Sequence, residues 1–132
     1  DLNKLAQHTF LAAPTPGQYA ALAAFEDEAH KILISRRDEF KARRDYLYDA
    51  LANLGFKMRV KPQGAFYIYA DCSEFCEDSF DFVCKVLQEK YVAFTPGIDF
   101  GEAGAKQHVR FAYTTNIENL KTGIQRLAEL KS

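Results

Sequence analysis

The stretch from residue 18 to residue 54 contains no glycine or proline, and it constrains the fold more than any other feature of the chain. Its apolar side chains recur at helical spacing, which predicts one long helix or two helices joined by a kink. At 1.5 Å per residue this helix would span about 55 Å, whereas a globule of 132 residues is about 36 Å across. The helix is too long for its own domain. The recurring residues are Phe25, Ala29, Ile32, Phe40, Leu47, Leu51 and Leu54.

The two ends of this helical stretch differ in composition. Residues 19–25 are apolar on most sides, whereas residues 35–45 carry many charged side chains. An apolar surface without a polar face requires burial. We therefore expect residues 19–25 to be frayed, folded back, or packed against another copy of the chain. Gly55 stands where a C-terminal helix cap belongs.

Helix-breaking and helix-starting signals precede this stretch, and a second helix start lies near the end of the chain. Helix breakers at residues 13–17 predict that residues 1–16 form a linker or an extended arm. Thr15 with Gln18, and Thr115 with Glu118, have the spacing of capping boxes, so a helix is expected to begin at each.

The remaining sequence predicts short strands and one further helix. Asp78 or Ser79 is expected to cap a helix that ends near Lys90. The order of elements predicts an α+β domain in which helices cover a small mixed β-sheet. Strands are expected at residues 56–60, 65–70, 91–94 and 108–113.

Composition excludes several classes of protein. Seventeen basic and 18 acidic residues give a net charge of −1, which disfavours a nucleic-acid or anionic-membrane partner. The sequence has no run of 18 apolar residues and no signal-peptide pattern at its start, so we expect a soluble, cytoplasmic protein. Three cysteines are an odd number in a domain that can bury a core, which favours a reducing compartment over a disulfide framework.

The cysteines, histidines and glycines form no recognisable site. Cys72, Cys76 and Cys84 lack the paired spacing of a zinc site. We expect Cys84 to be a small core residue, and the other two to lie in a surface loop. No histidine belongs to a nucleophile arrangement, and the glycines of residues 97–104 match no phosphate-binding motif but are expected to shape a turn. These residues are His8, His30 and His108, and Gly97, Gly101 and Gly104.

Arg110 is the candidate binding residue that the strand pattern isolates. Alternation along residues 108–113 places Val109 and Phe111 on one face of the strand and Arg110 with His108 on the other. From this pattern alone, a solvated arginine on the open face of a one-sided sheet is the favoured interpretation.

The order and spacing of several motifs resemble the C-terminal part of class I/II aminotransferases, which belong to the pyridoxal-phosphate fold type I group and include aspartate aminotransferase. The resemblance covers essentially the whole chain, including Gln18 with the alanine-rich helix start and the Arg43-Arg44-Asp45 triplet. The other motifs are Pro62-Gln63-Gly64-Ala65-Phe66-Tyr67, Val92, Thr95-Pro96-Gly97, Phe100-Gly101, Val109-Arg110-Phe111, Glu118-Asn119-Leu120 and Arg126-Leu127.

This resemblance implies a C-terminal small domain that a long helix links to a cofactor-binding large domain. Accordingly, we expect a linker arm over residues 1–16, an interdomain helix over 17–55 and the α+β small domain over 56–132, together one domain of a larger enzyme. The resemblance also implies a homodimer in the intact enzyme, with amino acids and 2-oxo acids as substrates.

The resemblance assigns roles to three residues. It implies that Arg110 holds the substrate α-carboxylate, a task suited to a planar guanidinium that donates two parallel hydrogen bonds. It also implies that Gly64 and Phe66 form a wall near the substrate side chain.

The implied cofactor is pyridoxal 5'-phosphate, held as an imine to a lysine. None of the lysines here stands in the Ser-x-x-Lys context expected of that residue, which should precede this chain. We therefore expect the chain to be inactive by itself. Two alternatives remain open: a fold-related pyridoxal-phosphate lyase or decarboxylase, and a stand-alone ligand-binding or oligomerisation module.

Overall fold

The computed structural model describes residues 1–131, and the side chains of residues 1–130. Its internal contacts divide the chain into two units, residues 1–38 and a second unit that begins at Glu39. The described chain contains no helix with the length and apolar character needed to cross a membrane.

The first unit is helical and exposed. It contains α1 (Leu2–Thr9), α2 (Thr15–Ala23) and the beginning of α3 (Asp27–Leu54). Residues 1–16 are expected to form a linker or an extended arm, and the extended alternative is wrong for Leu2–Thr9, which is helical and too short to show a clear apolar period. No side chain of residues 1–38 is buried within the chain.

The long helical stretch is two helices, as the kinked alternative predicts. Between them the Phe25 amide donates to the Leu22 carbonyl at 3.0 Å and the Glu26 amide to the Ala23 carbonyl at 3.2 Å. These i to i+3 bonds tighten the chain into a turn. Asp27 then begins α3, where an acidic side chain complements the helix dipole.

The capping box predicted at Thr15 does not form. Pro14 occupies the cap position and offers no side-chain hydrogen bond, while Gln18 Nε2 donates to the Ala13 carbonyl at 2.7 Å. At the other end of the stretch, Gly55 follows α3 with φ 97°, which confirms the predicted glycine cap.

The second unit is an α+β fold, as predicted, around a three-stranded sheet in the order β1-β3-β2. Both pairings are antiparallel, so the expectation of a mixed sheet is wrong: the central strand β3 runs opposite to both neighbours. Short 3-10 turns lie at Gly97–Asp99, Ala105–Gln107 and Glu129–Lys131. The elements after α3 are β1 (Tyr67–Asp71), α4 (Ser79–Lys90), β2 (Thr95–Pro96), β3 (His108–Ala112) and α5 (Ile117–Ala128).

The core of this unit lies between one face of the sheet and α3, α4 and α5. Alternate residues of β1 and β3 face the helices, as the period of two predicts. Apolar positions at helical spacing complete the packing. The buried residues include Ile68 and Ala70 in β1, Val109 and Phe111 in β3, Leu47 and Leu51 in α3, Phe82, Val83 and Val86 in α4, and Leu120 and Leu127 in α5.

Two strand predictions are wrong. Residues 56–60 contribute only an isolated bridge between Lys57 and Asp71, and residues 91–94 form no strand. Tyr91 ends α4 in the left-handed conformation, with φ 55°, and pairing with β3 begins only at Thr95. The β-prone run at 91–94 is therefore used for packing rather than for the sheet.

One of the two predicted helix caps after α3 is found, and the other is formed by the neighbouring residue. Asp78 caps α4, accepting from the Phe80 amide at 2.8 Å, which confirms the prediction. The cap of α5 is Asn116, not Thr115, and its side chain accepts from the Asn119 amide at 2.8 Å. Asparagine and threonine are both favourable N-cap residues, so the sequence alone does not show which of the two adjacent residues caps α5.

One of the three cysteines differs from expectation. Cys72 is fully buried in the core, so placing it in a surface loop was wrong. Cys76 is half-buried, and Cys84 packs partly buried against the core. Cys72 follows β1 directly, and its amide donates to the Gln107 carbonyl at 2.8 Å, which draws it inside.

Candidate functional site

Arg110 lies at the middle of the sheet face that turns away from the helices. It belongs to the central strand and stands opposite Tyr69 of β1 and Thr95 of β2. Its neighbours in sequence, Val109 and Phe111, point into the core, as the alternation predicts. The arginine side chain is half-buried rather than solvated.

Two aromatic rings fix the Arg110 guanidinium. Its Cζ lies 4.3 Å from the centroid of the Phe100 ring and 5.4 Å from that of the Tyr67 ring. The 3-10 turn that begins at Gly97 brings Phe100 back over the sheet, since the Phe100 amide donates to the Gly97 carbonyl at 2.9 Å. Contact with ring faces holds the guanidinium plane in place and leaves its donors free.

Arg110 has no carboxylate partner among the described residues. Its Nε is buried and makes no hydrogen bond, and it forms no ion pair. Arg43 Nε is likewise buried without a hydrogen bond, but the terminal nitrogens of Arg43 are engaged, because Nη1 donates to the Thr114 carbonyl at 3.0 Å and Nη2 pairs with Glu39. A buried donor without a partner costs free energy, and Arg110, unlike Arg43, also lines a cavity in which a ligand could supply the missing partner.

A cavity of about 490 Å³ opens beside the guanidinium. This volume suits a small-molecule ligand. Glu102 supplies a carboxylate to the lining, but it is exposed and forms no ion pair with Arg110. The lining residues are Tyr67, Tyr69, Phe100, Gly101, Glu102, Ala103, Ala105 and Arg110.

Tyr69 and Gly97 form the densely packed side of the site. The Tyr69 ring stacks on His108 with centroids 5.0 Å apart, and burial raises the pKa of the Tyr69 hydroxyl. A Cβ atom on Gly97 would lie 2.3 Å from the Ala105 carbonyl oxygen and 2.7 Å from the Tyr69 hydroxyl. Only glycine fits there.

The prediction that the glycines of residues 97–104 shape turns is confirmed, with Gly104 at φ 66°.

The segment that contains Gly64 and Phe66 adjoins the Tyr67 ring, which also contacts Arg110. The rings of Phe66 and Tyr67 meet edge to face, with centroids 5.6 Å apart. Phe66 is 46% exposed, and a Cβ on Gly64 would meet no atom within 4 Å. Neither residue lines the cavity beside Arg110.

Tyr113 anchors this segment to the strand that carries Arg110. Its hydroxyl lies 3.2 Å from the carbonyl oxygens of both Gly64 and Ala65, and its amide donates to the Phe66 carbonyl at 2.8 Å. Ala65 holds a positive φ of 61°, which is costly for a residue with a Cβ. Arg44 adds a hydrogen bond to the Pro62 carbonyl at 3.1 Å.

The two rings against Arg110 are not among the sequence predictions. The alternation in β1 places Tyr67 on the same face as Arg110, and that signal was available. The position of Phe100 has no such signal, because it depends on how the Gly97–Asp99 turn packs. No group of histidine, cysteine and acidic side chains suited to a metal ion occurs in the described part of the chain.

Comparison with known proteins gives consistent matches. The profile of the class I and II aminotransferases matches residues 1–127. A (5-formylfuran-3-yl)methyl phosphate transaminase of Methanocaldococcus jannaschii is 40% identical over 126 residues, which cover 96% of this chain and 33% of that protein. An aspartate aminotransferase of Geobacillus stearothermophilus is 33% identical over 131 residues, with coverage of 96% and 32%.

Solved structures match as well. A crystal structure from Methanococcus jannaschii, described as similar in its active site to kynurenine aminotransferases, has a TM-score of 0.87 and 38% identity. The match covers 98% of this chain and 34% of that one. The chain therefore spans about a third of the length of the relatives that it matches.

Proposed function

This chain belongs to the class I and II aminotransferase family, and we propose that it is the part of such an enzyme that binds the substrate carboxylate. The likeness to the C-terminal part of the family, expected from the sequence, is confirmed. The reaction we propose for the intact protein is transfer of an amino group between an amino acid and a 2-oxo acid.

The observation that carries this proposal is the unpaired, half-buried guanidinium of Arg110. A carboxylate in the adjoining cavity would receive two parallel, charge-assisted hydrogen bonds from it. The rings of Phe100 and Tyr67 hold the guanidinium plane before the ligand arrives. Little ordering of Arg110 is then needed on binding, which favours affinity.

Gly64 and Phe66 are proposed as the wall near the substrate side chain. Support comes from the exposed Phe66 ring and from its contact with Tyr67, whose other neighbour is Arg110. The open space around Gly64 leaves room for a ligand or for another part of the enzyme. The relatives named above act on different compounds, so the proposal is limited to the class of amino acids and 2-oxo acids.

The proposed cofactor of the intact enzyme is pyridoxal 5'-phosphate. Imine attachment requires a lysine, and the cavity lining beside Arg110 contains none. The residues that line this cavity therefore do not fit the attachment of this cofactor, and we propose that a large domain outside this chain binds it. By itself the chain is proposed to be inactive.

The first unit is proposed to contact that large domain or a second subunit of a homodimer. Its apolar side chains, among them Leu22 and Phe25, are exposed within the chain. The division into an arm over 1–16, an interdomain helix over 17–55 and a small domain over 56–132 stays part of the proposal. The cytoplasmic location and the lack of nucleic-acid and membrane partners stay predictions from the sequence.

The test is Arg110→Lys in the full-length protein. Because lysine offers a point charge in place of a planar pair of donors, we expect kcat/KM for amino acids to fall about 10- to 200-fold. Cofactor absorbance and thermal stability should stay as they are. Arg126→Lys is the matched control, since Arg126 donates to the Tyr91 carbonyl, away from the site. Full activity of Arg110→Lys, or a loss explained by unfolding, would contradict the proposed role.

A further inference from the structure

Cys72 and Cys76 lie at the two ends of a single helical turn that follows β1. The amides of Phe75 and Cys76 both donate to the Cys72 carbonyl, at 2.9 and 3.2 Å. In such a turn the Cα atoms of residues four apart are separated by about 6 Å. Disulfide-bonded cysteines have Cα separations of about 4.4 to 6.8 Å, so this backbone already suits the bond.

The two sulfur atoms point toward each other. Cys76 Sγ lies 3.6 Å from Cys72 Sγ, and it is also 3.6 Å from the Cys72 carbonyl oxygen. A disulfide would require the sulfurs to approach by about a further 1.6 Å, which side-chain rotation can supply. Cys84, in α4, has no sulfur partner within residues 1–130.

A cleft gives a reagent access to one of the two thiols. Cys76 lines a cavity of about 390 Å³, whereas Cys72 is fully buried behind it. Three carboxylates, Glu77, Asp78 and Asp81, share the lining with Lys85. Lys106, which is not part of the lining, forms an ion pair with Asp78 at 3.3 Å, so the carboxylates still outnumber the nearby cations. A positively charged reagent therefore suits this cleft.

We propose that Cys72 and Cys76 form a reversible dithiol–disulfide site, which a small cationic disulfide such as cystamine oxidises through Cys76. This site is separate from Arg110 and does not depend on the proposed carboxylate binding. It makes the turn after β1 a place of oxidative modification.

The reaction has two exchange steps. The Cys76 thiolate attacks one sulfur of cystamine, which forms a mixed disulfide and releases one cysteamine thiolate. The Cys72 thiolate then attacks Cys76 Sγ, which breaks the mixed disulfide, forms the Cys72–Cys76 bond and releases the second cysteamine. The two cysteines lose two electrons and two protons, and cystamine gains them as two cysteamine molecules.

The rates of these steps depend on pH. Burial raises the pKa of Cys72 to about 12, and it also raises the pKa of Cys76. Because the thiolate is the attacking form, both steps should become faster as the pH increases. The reduced pair is accordingly stable near neutral pH unless an oxidising disulfide is present.

The test uses the full chain in mixtures of cystamine and cysteamine, followed by acid quenching and peptide mass spectrometry. We expect a product that has lost two hydrogen atoms and contains a Cys72–Cys76 link, with Cys84 free. Cys76→Ser should abolish this product and Cys84→Ser should leave it unchanged. The degree of oxidation depends on the cystamine concentration divided by the square of the cysteamine concentration. Because the fold holds the two sulfurs together, the native chain should be half-oxidised at a value of this ratio about tenfold or more lower than the chain in denaturant.

Three outcomes would overturn the proposal. One is a lasting mixed disulfide on Cys76 with no link to Cys72, and another is a link that includes Cys84. The third is equal oxidation of the native and denatured chains, since the fold would then contribute nothing to the pairing. Peptide mapping of the unmutated chain decides the first two, even if Cys76→Ser fails to fold.

Discussion

The Arg110 guanidinium carbon lies 4.3 Å from the centroid of the Phe100 ring, although the 3-10 turn at Ala105–Gln107 lies between the two residues along the chain. The Tyr67 ring is a second neighbour of the guanidinium, with its centroid 5.4 Å from the same carbon. We therefore regard Phe100 as a positioning residue for Arg110. It would act by restricting the orientations that the guanidinium plane can adopt.

Because we propose that Arg110 binds the substrate carboxylate, we expect Phe100→Leu in the full-length protein to weaken substrate binding. A cation–aromatic contact contributes about 0.5 to 2 kcal/mol, so we expect KM for the amino acid to increase about 2- to 30-fold, with a smaller change in kcat. Steady-state kinetics measures this split. Phe80→Leu is the control, because Phe80 is an exposed residue of α4 away from Arg110. Equal effects of the two variants would contradict the positioning role.

Gly123→Ala should stabilise the chain. Gly123 lies inside α5, where glycine is about 1 kcal/mol less favourable than alanine. The added Cβ would meet Val92 Cγ1 at 4.0 Å, an ordinary packing distance. Urea denaturation should show a free energy of unfolding higher by up to about 1 kcal/mol. A lower value would mean that α5 and Val92 are closer than the structure shows.

Gly97→Ala should have the opposite effect. The new Cβ would lie 2.3 Å from the Ala105 carbonyl oxygen and 2.7 Å from that of His108, and backbone atoms cannot move aside as a side chain can. We expect a loss of about 2 kcal/mol or more in the free energy of unfolding. Gly101→Ala is the matched control, since a Cβ there meets no atom within 4 Å.

Asp78 should make stability depend on pH. A hydrogen bond from the Phe80 amide, and then one from Lys106, hold the pKa of Asp78 below its ordinary value. The unfolded chain therefore binds this proton more readily, so the stabilisation is present above the ordinary aspartate pKa and is lost as the pH falls through the lower, folded value. Asp78→Asn retains a cap but cannot titrate there. Urea midpoints between about pH 2.5 and pH 5 should vary less in this variant than in the unmutated chain.

The exposed apolar surface of the first unit should cause self-association of the isolated chain. Leu22 is 66% exposed and Phe25 is 86% exposed. Sedimentation velocity should show species larger than a monomer whose fraction increases with concentration. Phe25→Ser should reduce that fraction, whereas Val60→Ser, at a site 76% exposed in the second unit, should not. A strict monomer at all concentrations would contradict this prediction.

Local signals predicted much of the second unit. The Asp78 cap, the glycine after α3 and the alternation of β3 each depend on a few neighbouring residues, and each is found as expected. The outward position of Arg110 follows from that alternation alone.

Features that depend on tertiary packing could not be predicted in this way. The strand expected at residues 91–94 is displaced to Thr95–Pro96 because pairing with Arg110 and Val109 decides where β2 lies. Cys72 is buried since β1 leads it into the core, not because of its own neighbours. The contact between Phe100 and Arg110 likewise depends on how the chain turns between these two residues, which local sequence signals do not show.

Tyr113 bonds the segment of Gly64 and Phe66 through both its hydroxyl and its amide, directly after the strand that carries Arg110. These bonds tie Phe66 to the strand of Arg110, so we expect the distance between the two residues to change little. If both residues contact one substrate, the distance between them sets how far apart the two contacted parts of that substrate can lie. Substrates of different length must then be accommodated by movement of other parts of the enzyme.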